Sequence, residues 1–339
     1  MQPVQTIWLA LDSRSNGGVE SHVAELAMAL TQQGFAVTVV LLADYGSHPL
    51  AERLCQGGVN LLKLNGRPWS LFTALQSAHP DLLHTHGYKA GILGRLYARL
   101  LRIAVVSTFH AGEIAQGRLR CYQRLDELSA PLAPAMAVSE AIALRLNCRA
   151  AVVDNFVAVP QLPARIVPRT VAFVGRFSHE KGPDRFISIA RLLPEVSFLM
   201  FGDGPLREEL ERIAPSNVRF MGMVPSMQPH WSEIGLLCMP SRHEGLPMAA
   251  LEAMAHGVVV ASFAVGGVPR LRLGSAGGYL CPESDEAALT ASVISWTRLT
   301  SGRRQLQAEH ARQRILQGFT AAAALPAILQ VYAQAKGAA

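Results

Sequence analysis

Two glutamates, Glu244 and Glu252, stand eight residues apart in PSRHEGLPMAALEAMAHG, residues 240–257, the segment densest in groups able to do chemistry. Pro247 suits the first turn of a helix, where its missing N–H leaves nothing unbonded, and Gly257 suits the end of one. The spacing therefore predicts a helix from about Leu246 to His256. Its unbonded N–H groups and positive dipole end suit an anion such as a diphosphate. At a rise of about 1.5 Å per residue the two carboxylates lie at most about 12 Å apart, enough to reach both ends of a nucleotide sugar. As an isolated pair they read better as a helix cap and a solvated helix residue; the motifs around them favour the first reading.

In VAFVGRFSHEKGPDRF, Arg176 leaves the end of an apolar strand and Lys181 precedes a helix opened by Gly182-Pro183. Two cations at one strand end suit a diphosphate. MFGDGPLREEL places Gly202, Asp203 and Gly204 after a strand, where small residues allow backbone to approach a base or phosphate. The rest of a dinucleotide fingerprint is missing there. Nearer the N-terminus, Asn16-Gly17-Gly18 forms a second glycine turn between strand and helix. His110 ends the strand VVSTFH, a place where a histidine is ordinarily just hydrogen-bonded. His84 and His86 share one strand face, but with no third ligand in view they predict no metal site. The chain also lacks an Asp-x-Asp pair that would clamp a metal to a diphosphate. Its nearest analogue, Glu283-Ser284-Asp285, falls at a helix start and reads as a cap. Neither a Gly-x-Ser-x-Gly elbow nor a Gly-Lys-Ser/Thr phosphate loop occurs, which removes a serine hydrolase and a P-loop enzyme.

The elements that must position these groups repeat. TIWLALD, AVTVVLLA, VNLLKL, DLLHTHG, AVVSTFH and PAMAVS alternate with helical patterns, and so do TVAFVGR, VSFLMFG, VRFMG, IGLLCMP and VVVASF. Such alternation means βαβ units and parallel sheets. Between the two sets VAVPQLPARIVPR carries three prolines, which stiffen the chain and remove backbone donors. The expected organisation is a Rossmann-like domain over 1–157, a linker over 158–169, a second Rossmann-like domain over 170–315, and a terminal helix over 316–339 that crosses back to the first domain. Ligands of open α/β sheets bind beyond the carboxyl ends of the strands, so two facing edges would form a cleft.

Composition agrees. The chain has 339 residues, 50% hydrophobic and 17% charged, which suits two folded domains and excludes broad disorder. Five scattered cysteines with no Cys-x-x-Cys pair encode neither a disulfide framework nor a zinc cage, and the start lacks the basic region of a secretory signal. A cytoplasmic location is expected. No formal charge occurs between Arg314 and Lys336, but polar residues and Pro326 interrupt that stretch, which predicts a buried helix. A net charge of +6 favours anionic partners. In YKAGILGRLYARLLR the spacing puts Arg95, Arg99 and Arg102 on one stripe, opposite Ile92, Leu96 and Leu100, with Arg118, Arg120 and Arg124 close behind. That stripe reads equally as a solvated basic face and as a contact for an anionic inner-membrane surface.

Taken together, SNGGVESHVAELAMAL, GRFSHEKG, FGDGP and the Glu-x7-Glu segment EGLPMAALEAMAHG resemble, in order and spacing, the retaining GT-B glycosyltransferases of family 4 over nearly the whole chain. The resemblance implies an α/β GT-B fold with two Rossmann-like domains across a donor/acceptor cleft. It implies transfer, without a metal, from a nucleotide-diphosphate donor to a glycan or lipid-linked acceptor, in bacterial cell-surface polysaccharide or lipopolysaccharide synthesis. By the same resemblance Arg176 and Lys181 bind the diphosphate, Glu244 the sugar and Glu252 the ribose. Gly245, Leu246 and Pro247 supply backbone contacts, Gly17 and Gly18 approach the donor phosphate, and His110 lies beside the reacting sugar. No cofactor is implied beyond the substrate, for which UDP or GDP is the expected nucleotide, and no nucleic acid partner. A nucleotide-sugar epimerase of related fold and a non-catalytic nucleotide-sugar-binding subunit are the alternatives. Three positions depart from the pattern: Gly235 where an acid is usual, Arg270 where a glutamate is usual, and Phe156 where glycine is common.

Overall fold

The computed structural model describes residues 4–14, 17–110, 117–161, 166–274 and 277–338. In it the β-branched runs become two sheets whose strands all pair in parallel, carried by two compact units. The first unit is Met1–Phe156 with Ala321–Ala339, and the second is Val157–Thr320.

In the first unit the strands are β1 (Thr6–Leu11), β2 (Ala36–Leu41), β3 (Asn60–Lys63), β4 (Leu82–His86), β5 (Ala104–Phe109), β6 (Ala135–Ala137) and β7 (Ala150–Val152). Their order is β3-β2-β1-β4-β5-β6-β7. The helices between them are α1 (Gly18–Gln32), α2 (Pro49–Gln56), α3 (Pro68–Ala78), α4 (Tyr88–Leu101), α5 (Arg118–Leu128) and α6 (Glu140–Ala143). Successive side chains of a strand point to opposite faces. Ile7, Leu9 and Leu11 accordingly join Val23, Leu26 and Leu30 of α1 in one core, while Trp8 and Ala10 join Leu71, Leu75 and Tyr97 in another.

The second unit carries β8 (Val171–Val174), β9 (Phe198–Phe201), β10 (Val218–Gly222), β11 (Leu236–Met239), β12 (Val259–Phe263) and β13 (Tyr279–Cys281), ordered β10-β9-β8-β11-β12-β13. Its helices are α7 (Pro183–Arg191), α8 (Arg207–Ile213), α9 (Met248–Ala255), α10 (Glu286–Thr297) and α11 (Ser301–Gly318). Both sheets reverse strand order beside their first strand, at β1/β4 and β8/β11, and such reversals are where open α/β sheets receive ligands.

The C-terminal region is two helices where one was expected. α11 extends to Gly318 and packs on α9 and β12, whereas α12 (Ala321–Ala338) lies against α1 and β5. Leu325, Ile328, Val331 and Tyr332 of α12 enter the first unit's core, and Lys336 pairs with Asp81 at 2.7 Å. The stretch 301–337 is long and apolar enough by composition to cross a membrane, yet Ile315, Phe319, Leu325, Ile328, Val331 and Tyr332 within it are buried in the protein. Of the segment read as a linker, residues 158–161 and 166–169 group with the second unit, and 162–165 lie outside the described residues.

Helix α4 forms where its pattern places it but is turned about its axis from the expected orientation. Arg95 is fully buried, donating to Ser107 Oγ at 2.8 Å and pairing with Asp126 of α5, while Leu96 and Leu100 are 48% and 65% exposed. The reason is steric. Ala90, Gly94 and Ala98 form a flat side, and a Cβ at Gly94 would meet Thr85 Cγ2 at 2.4 Å, so only small residues fit against the sheet there. Arg95 reaches past them to a carboxylate whose pKa burial pushes up to about 6 against the opposing pull of the guanidinium. Arg99 and Arg102 stay exposed, so the expected stripe loses its first member.

Candidate functional site

On the second unit the candidate groups gather at the β8/β11 reversal. β8 runs into Gly175 and the exposed Arg176, then a short turn of 3₁₀ helix over His179–Lys181 leads to α7. β11 runs into 240–247 and then α9. Lys181 Nζ donates to both oxygens of Glu244 at 2.8 Å, so two side chains 63 residues apart in sequence form one charged group. The Glu244 side chain is 5% exposed and that of Lys181 31%, which leaves the carboxylate at the bottom of the pair and the ammonium toward solvent.

Backbone and side-chain contacts hold the pair in place. Arg242 grips Asp184 of α7 through two bonds, of 3.1 and 2.8 Å, donates to the His179 carbonyl at 2.7 Å, and bonds the Glu180 carbonyl through its own N–H at 2.8 Å. Beneath Glu244, Gly267 N–H donates to the Gly245 carbonyl at 2.6 Å, and a Cβ at Gly266 would fall 1.9 Å from the Glu244 carbonyl. Sequence reasoning missed Arg242, Asp184 and the Gly266-Gly267 pair; the double glycine of GGVPRL was the one signal available for the last of these.

Helix α9 begins at Met248, two residues later than expected, with Pro247 in extended conformation as its N-cap. The backbone of Gly245, Leu246 and Pro247 therefore forms the entry to the helix. Leu246 is buried, and Glu252 is half-buried on α9, where its carbonyl accepts from His256 Nδ1 at 2.8 Å. Asp285 caps α10 by accepting from Ala288 N–H at 2.9 Å, which accounts for Glu283-Ser284-Asp285 as a helix start.

The glycines of Gly202-Asp203-Gly204 have a packing reason besides the one expected. A Cβ at Gly202, whose φ is +131°, would lie 1.9 Å from the Gly175 carbonyl, and one at Gly204 would crowd the Phe177 backbone at 2.5 Å. Their smallness seats the β9 loop on the Gly175–Phe177 loop. Asp203 is exposed and pairs with Arg207 at 3.1 Å. Gly235 is likewise explained by packing, since a Cβ there would meet the Pro168 carbonyl at 2.0 Å and the Trp296 ring at 2.6 Å. No acid fits. Arg270 lends its carbonyl to Arg314 at 2.9 Å, and Phe156 is buried edge-on to His22.

On the first unit, Gly17 is the N-cap of α1 and Gly18 its first residue, while Asn16 lies outside the described residues. His110, half-buried after β5, does not stand alone. His86 Nδ1 and His110 Nε2 are 3.0 Å apart, one donating to the other, and the His22 ring of α1 lies 4.9 Å from that of His110. The His84 ring lies tilted beside that of His86 at 4.2 Å, with its nitrogens bonded to Tyr332 Oη at 2.8 Å and Thr108 Oγ1 at 2.7 Å. Burial holds His22 down to about 4, and His84, His86 and His110 well below the usual imidazole range. All four rings are therefore neutral near pH 7. The absence of a third ligand, on which the sequence argument dismissed a metal here, does not hold: ligand atoms of His22, His86 and His110 all lie within 4.8 Å of one another.

Known proteins match the chain in both units. Residues 16–161 match the glycosyltransferase family 4 profile and residues 168–298 that of glycosyl transferases group 1. A 2-deoxystreptamine N-acetyl-D-glucosaminyltransferase of Streptomyces fradiae is 30% identical over 266 residues, 63% of this chain and 62% of that protein, so the chain spans less than two thirds of this relative's length. A D-inositol 3-phosphate glycosyltransferase of Xylanimonas cellulosilytica is 27% identical over 388 residues, 94% of this chain and 92% of that protein. The crystal structure of Anabaena Alr3699/HepE in complex with UDP and glucose superposes with a TM-score of 0.81 at 19% identity, covering 97% of this chain and all of that one, 100%.

Proposed function

The chain belongs to the group 1 glycosyltransferases and has the GT-B fold, and from that premise we propose that it moves a sugar from a nucleoside diphosphate donor to a glycan or lipid-linked acceptor. The transfer proceeds with retention at the anomeric carbon and without a metal. The observation that carries this reading is the Lys181–Glu244 pair at the β8/β11 reversal, beside Arg176 and ahead of α9. An ammonium has three N–H donors, so Lys181 can meet a phosphate oxygen while keeping its carboxylate. Arg176 and the first N–H groups of α9 add charge of the same sign.

The bond between the anomeric carbon and the terminal phosphate oxygen breaks with its electron pair going to phosphate. The acceptor hydroxyl attacks from the same face and gives its proton to the departing phosphate, so no protein base is needed. Charge that grows on phosphate meets groups already in place, and such preorganised stabilisation is usually the largest single contribution to catalysis. Glu244 holds the sugar as well as Lys181, and Glu252 the ribose. His110 offers the sugar a neutral ring nitrogen. UDP or GDP is the proposed nucleotide; the UDP held by HepE, a protein of matching fold, supports the first.

A lipid-linked acceptor at the cytoplasmic face of an inner membrane, in cell-surface polysaccharide or lipopolysaccharide synthesis, is the proposed setting. What supports it is a surface on α4 and α5 where Leu96, Leu100, Leu119, Tyr122, Leu125 and Leu128 are each at least 48% exposed, accompanied by exposed Arg99, Arg102, Arg120 and Arg124. Apolar side chains flanked by arginines suit the interface of an anionic bilayer. Arg95 takes no part, and the Arg118 side chain lies outside the described residues.

The test incubates the protein with UDP-, GDP- and ADP-sugars and a set of glycan and polyprenyl acceptors, in excess EDTA, and reads product configuration by NMR. The expected product keeps the donor's anomeric configuration. An inverted product, or activity that vanishes with chelator and returns with Mg²⁺, overturns the mechanism. Epimerisation of donor with no acceptor, or nucleotide binding with no transfer, overturns the activity.

A further inference from the structure

We propose that His22, His86 and His110 form a binding site for a divalent transition-metal ion of the zinc class. Among the described residues this is the single grouping of three or more His, Cys, Asp or Glu side chains whose ligand atoms converge, and all lie within 4.8 Å of one another. The three come from separate elements: His22 from α1, His86 from the end of β4, His110 from just beyond β5. β1 and β5 flank β4 in register, Leu11 opposite His86 and His86 opposite Thr108, so the sheet itself fixes the spacing.

A second observation points to a ligand. Among the described residues His22 Nδ1 is buried with no hydrogen-bond partner, in a side chain only 5% exposed. A buried polar nitrogen is rarely left so, because it has given up water and gained nothing in return. Neutral imidazoles offer lone pairs to a metal, and burial holds these rings neutral. His84 is a wall and not a ligand, since Tyr332 and Thr108 occupy both its nitrogens.

Two nitrogens on a tetrahedral zinc, each about 2.0–2.1 Å from it, lie roughly 3.3–3.4 Å apart. The His86 and His110 nitrogens are 3.0 Å apart and the three ligand atoms lie within 4.8 Å, so an ion enters once that hydrogen bond opens by a few tenths of an ångström and the widest pair closes by up to about 1.5 Å. The donated proton moves to the other nitrogen of its own ring, Nε2 if His86 is the donor and Nδ1 if His110 is. No net proton leaves a neutral set. An all-imidazole site selects Zn²⁺, Co²⁺, Ni²⁺ or Cu²⁺ and rejects Mg²⁺ and Ca²⁺, which demand oxygen. Three protein ligands leave a fourth position for water or another ligand. All three ligands belong to the first unit, His110 being also the ring proposed to meet the sugar, and the test below reads ion binding without the transfer reaction.

The experiment titrates untagged, chelator-stripped protein with Co²⁺, following the visible ligand-field bands, and with Zn²⁺ in competition. One Co²⁺ per chain is expected, displaced by Zn²⁺ and untouched by excess Mg²⁺. His22→Gln and His86→Gln, verified as folded by circular dichroism, should each weaken binding at least about tenfold, the loss that even an indirect supporting residue brings. The exposed His310→Gln control should bind as wild type. No Co²⁺ bands in the wild type, or undiminished binding in both folded variants, overturns the site.

Discussion

At the scale of single residues, the proposed chemistry divides between the two signature glutamates. Glu244→Gln removes the charge under Lys181, and a hydrogen bond to a charged group is worth roughly 1.5–3 kcal/mol. It should depress transfer more than affinity for free nucleoside diphosphate, whereas Glu252→Gln should weaken the nucleotide itself. Measuring both by turnover and by calorimetry decides the assignment, which fails if neither variant changes transfer. Lys181→Ala should cost more in kcat than in donor affinity, because the charge it faces grows toward the transition state. Lys181 and Glu244 touch, so their effects on stability should be non-additive by about 0.5–3 kcal/mol in a double-mutant cycle; additive effects would separate them.

At the scale of elements, the loops after β8 and β9 act as one body because glycine lets them touch. Gly202→Ala places a methyl 1.9 Å from the Gly175 carbonyl at a backbone angle of +131°. Strain of this kind costs about 1–3 kcal/mol and overpacking a similar amount. The substitution should lower the melting temperature and, by displacing Gly175-Arg176, weaken nucleotide binding as well. A variant as stable as wild type with unchanged binding would show that the two loops move independently. From the sequence alone this contact is invisible, since a Gly-x-Gly after a strand looks the same whether a phosphate or a neighbouring carbonyl approaches it.

Across the whole molecule, the histidine cluster ties the first unit's stability to pH. A ring held neutral by burial has a lower pKa folded than unfolded, so protonation favours the unfolded chain. The stability is complete above the unfolded value of about 6.5 and is lost as pH falls toward about 4, where His22 charges within the fold. Each such ring contributes up to about 1.4 kcal/mol per pH unit across that window. Urea unfolding at pH 7, 6 and 5, with chelator present, should show the first unit weakening steeply, and a stability flat over this range would contradict the burial. The surface of α4 and α5 gives the remaining prediction. Wild type should sediment with anionic liposomes at low salt, and Leu96→Asp with Leu100→Asp should reduce this more than Arg95→Gln, because Arg95 is buried. Equal loss in both, with both proteins folded, would remove the apolar contact from the account.

What the sequence determined by itself was the order of the parts. Short β-branched, apolar runs separated by helical ones dictate parallel sheets, and GRFSHEKG and EGLPMAALEAMAHG are legible as loops leading into helices because strand, turn and helix are local in sequence. Asp285 was legible as a cap for the same reason: its partner lies three residues away. What only tertiary structure decided were contacts between residues far apart. Lys181 meets Glu244 across 63 residues because two neighbouring strands of a sheet end side by side. His22, His86 and His110 converge because α1, β4 and β5 meet in one unit, and no spacing rule links them. Arg95 turned inward because Gly94 and its small neighbours fit the sheet and the leucines do not, a choice that depends on the surface the helix meets and not on its own periodicity.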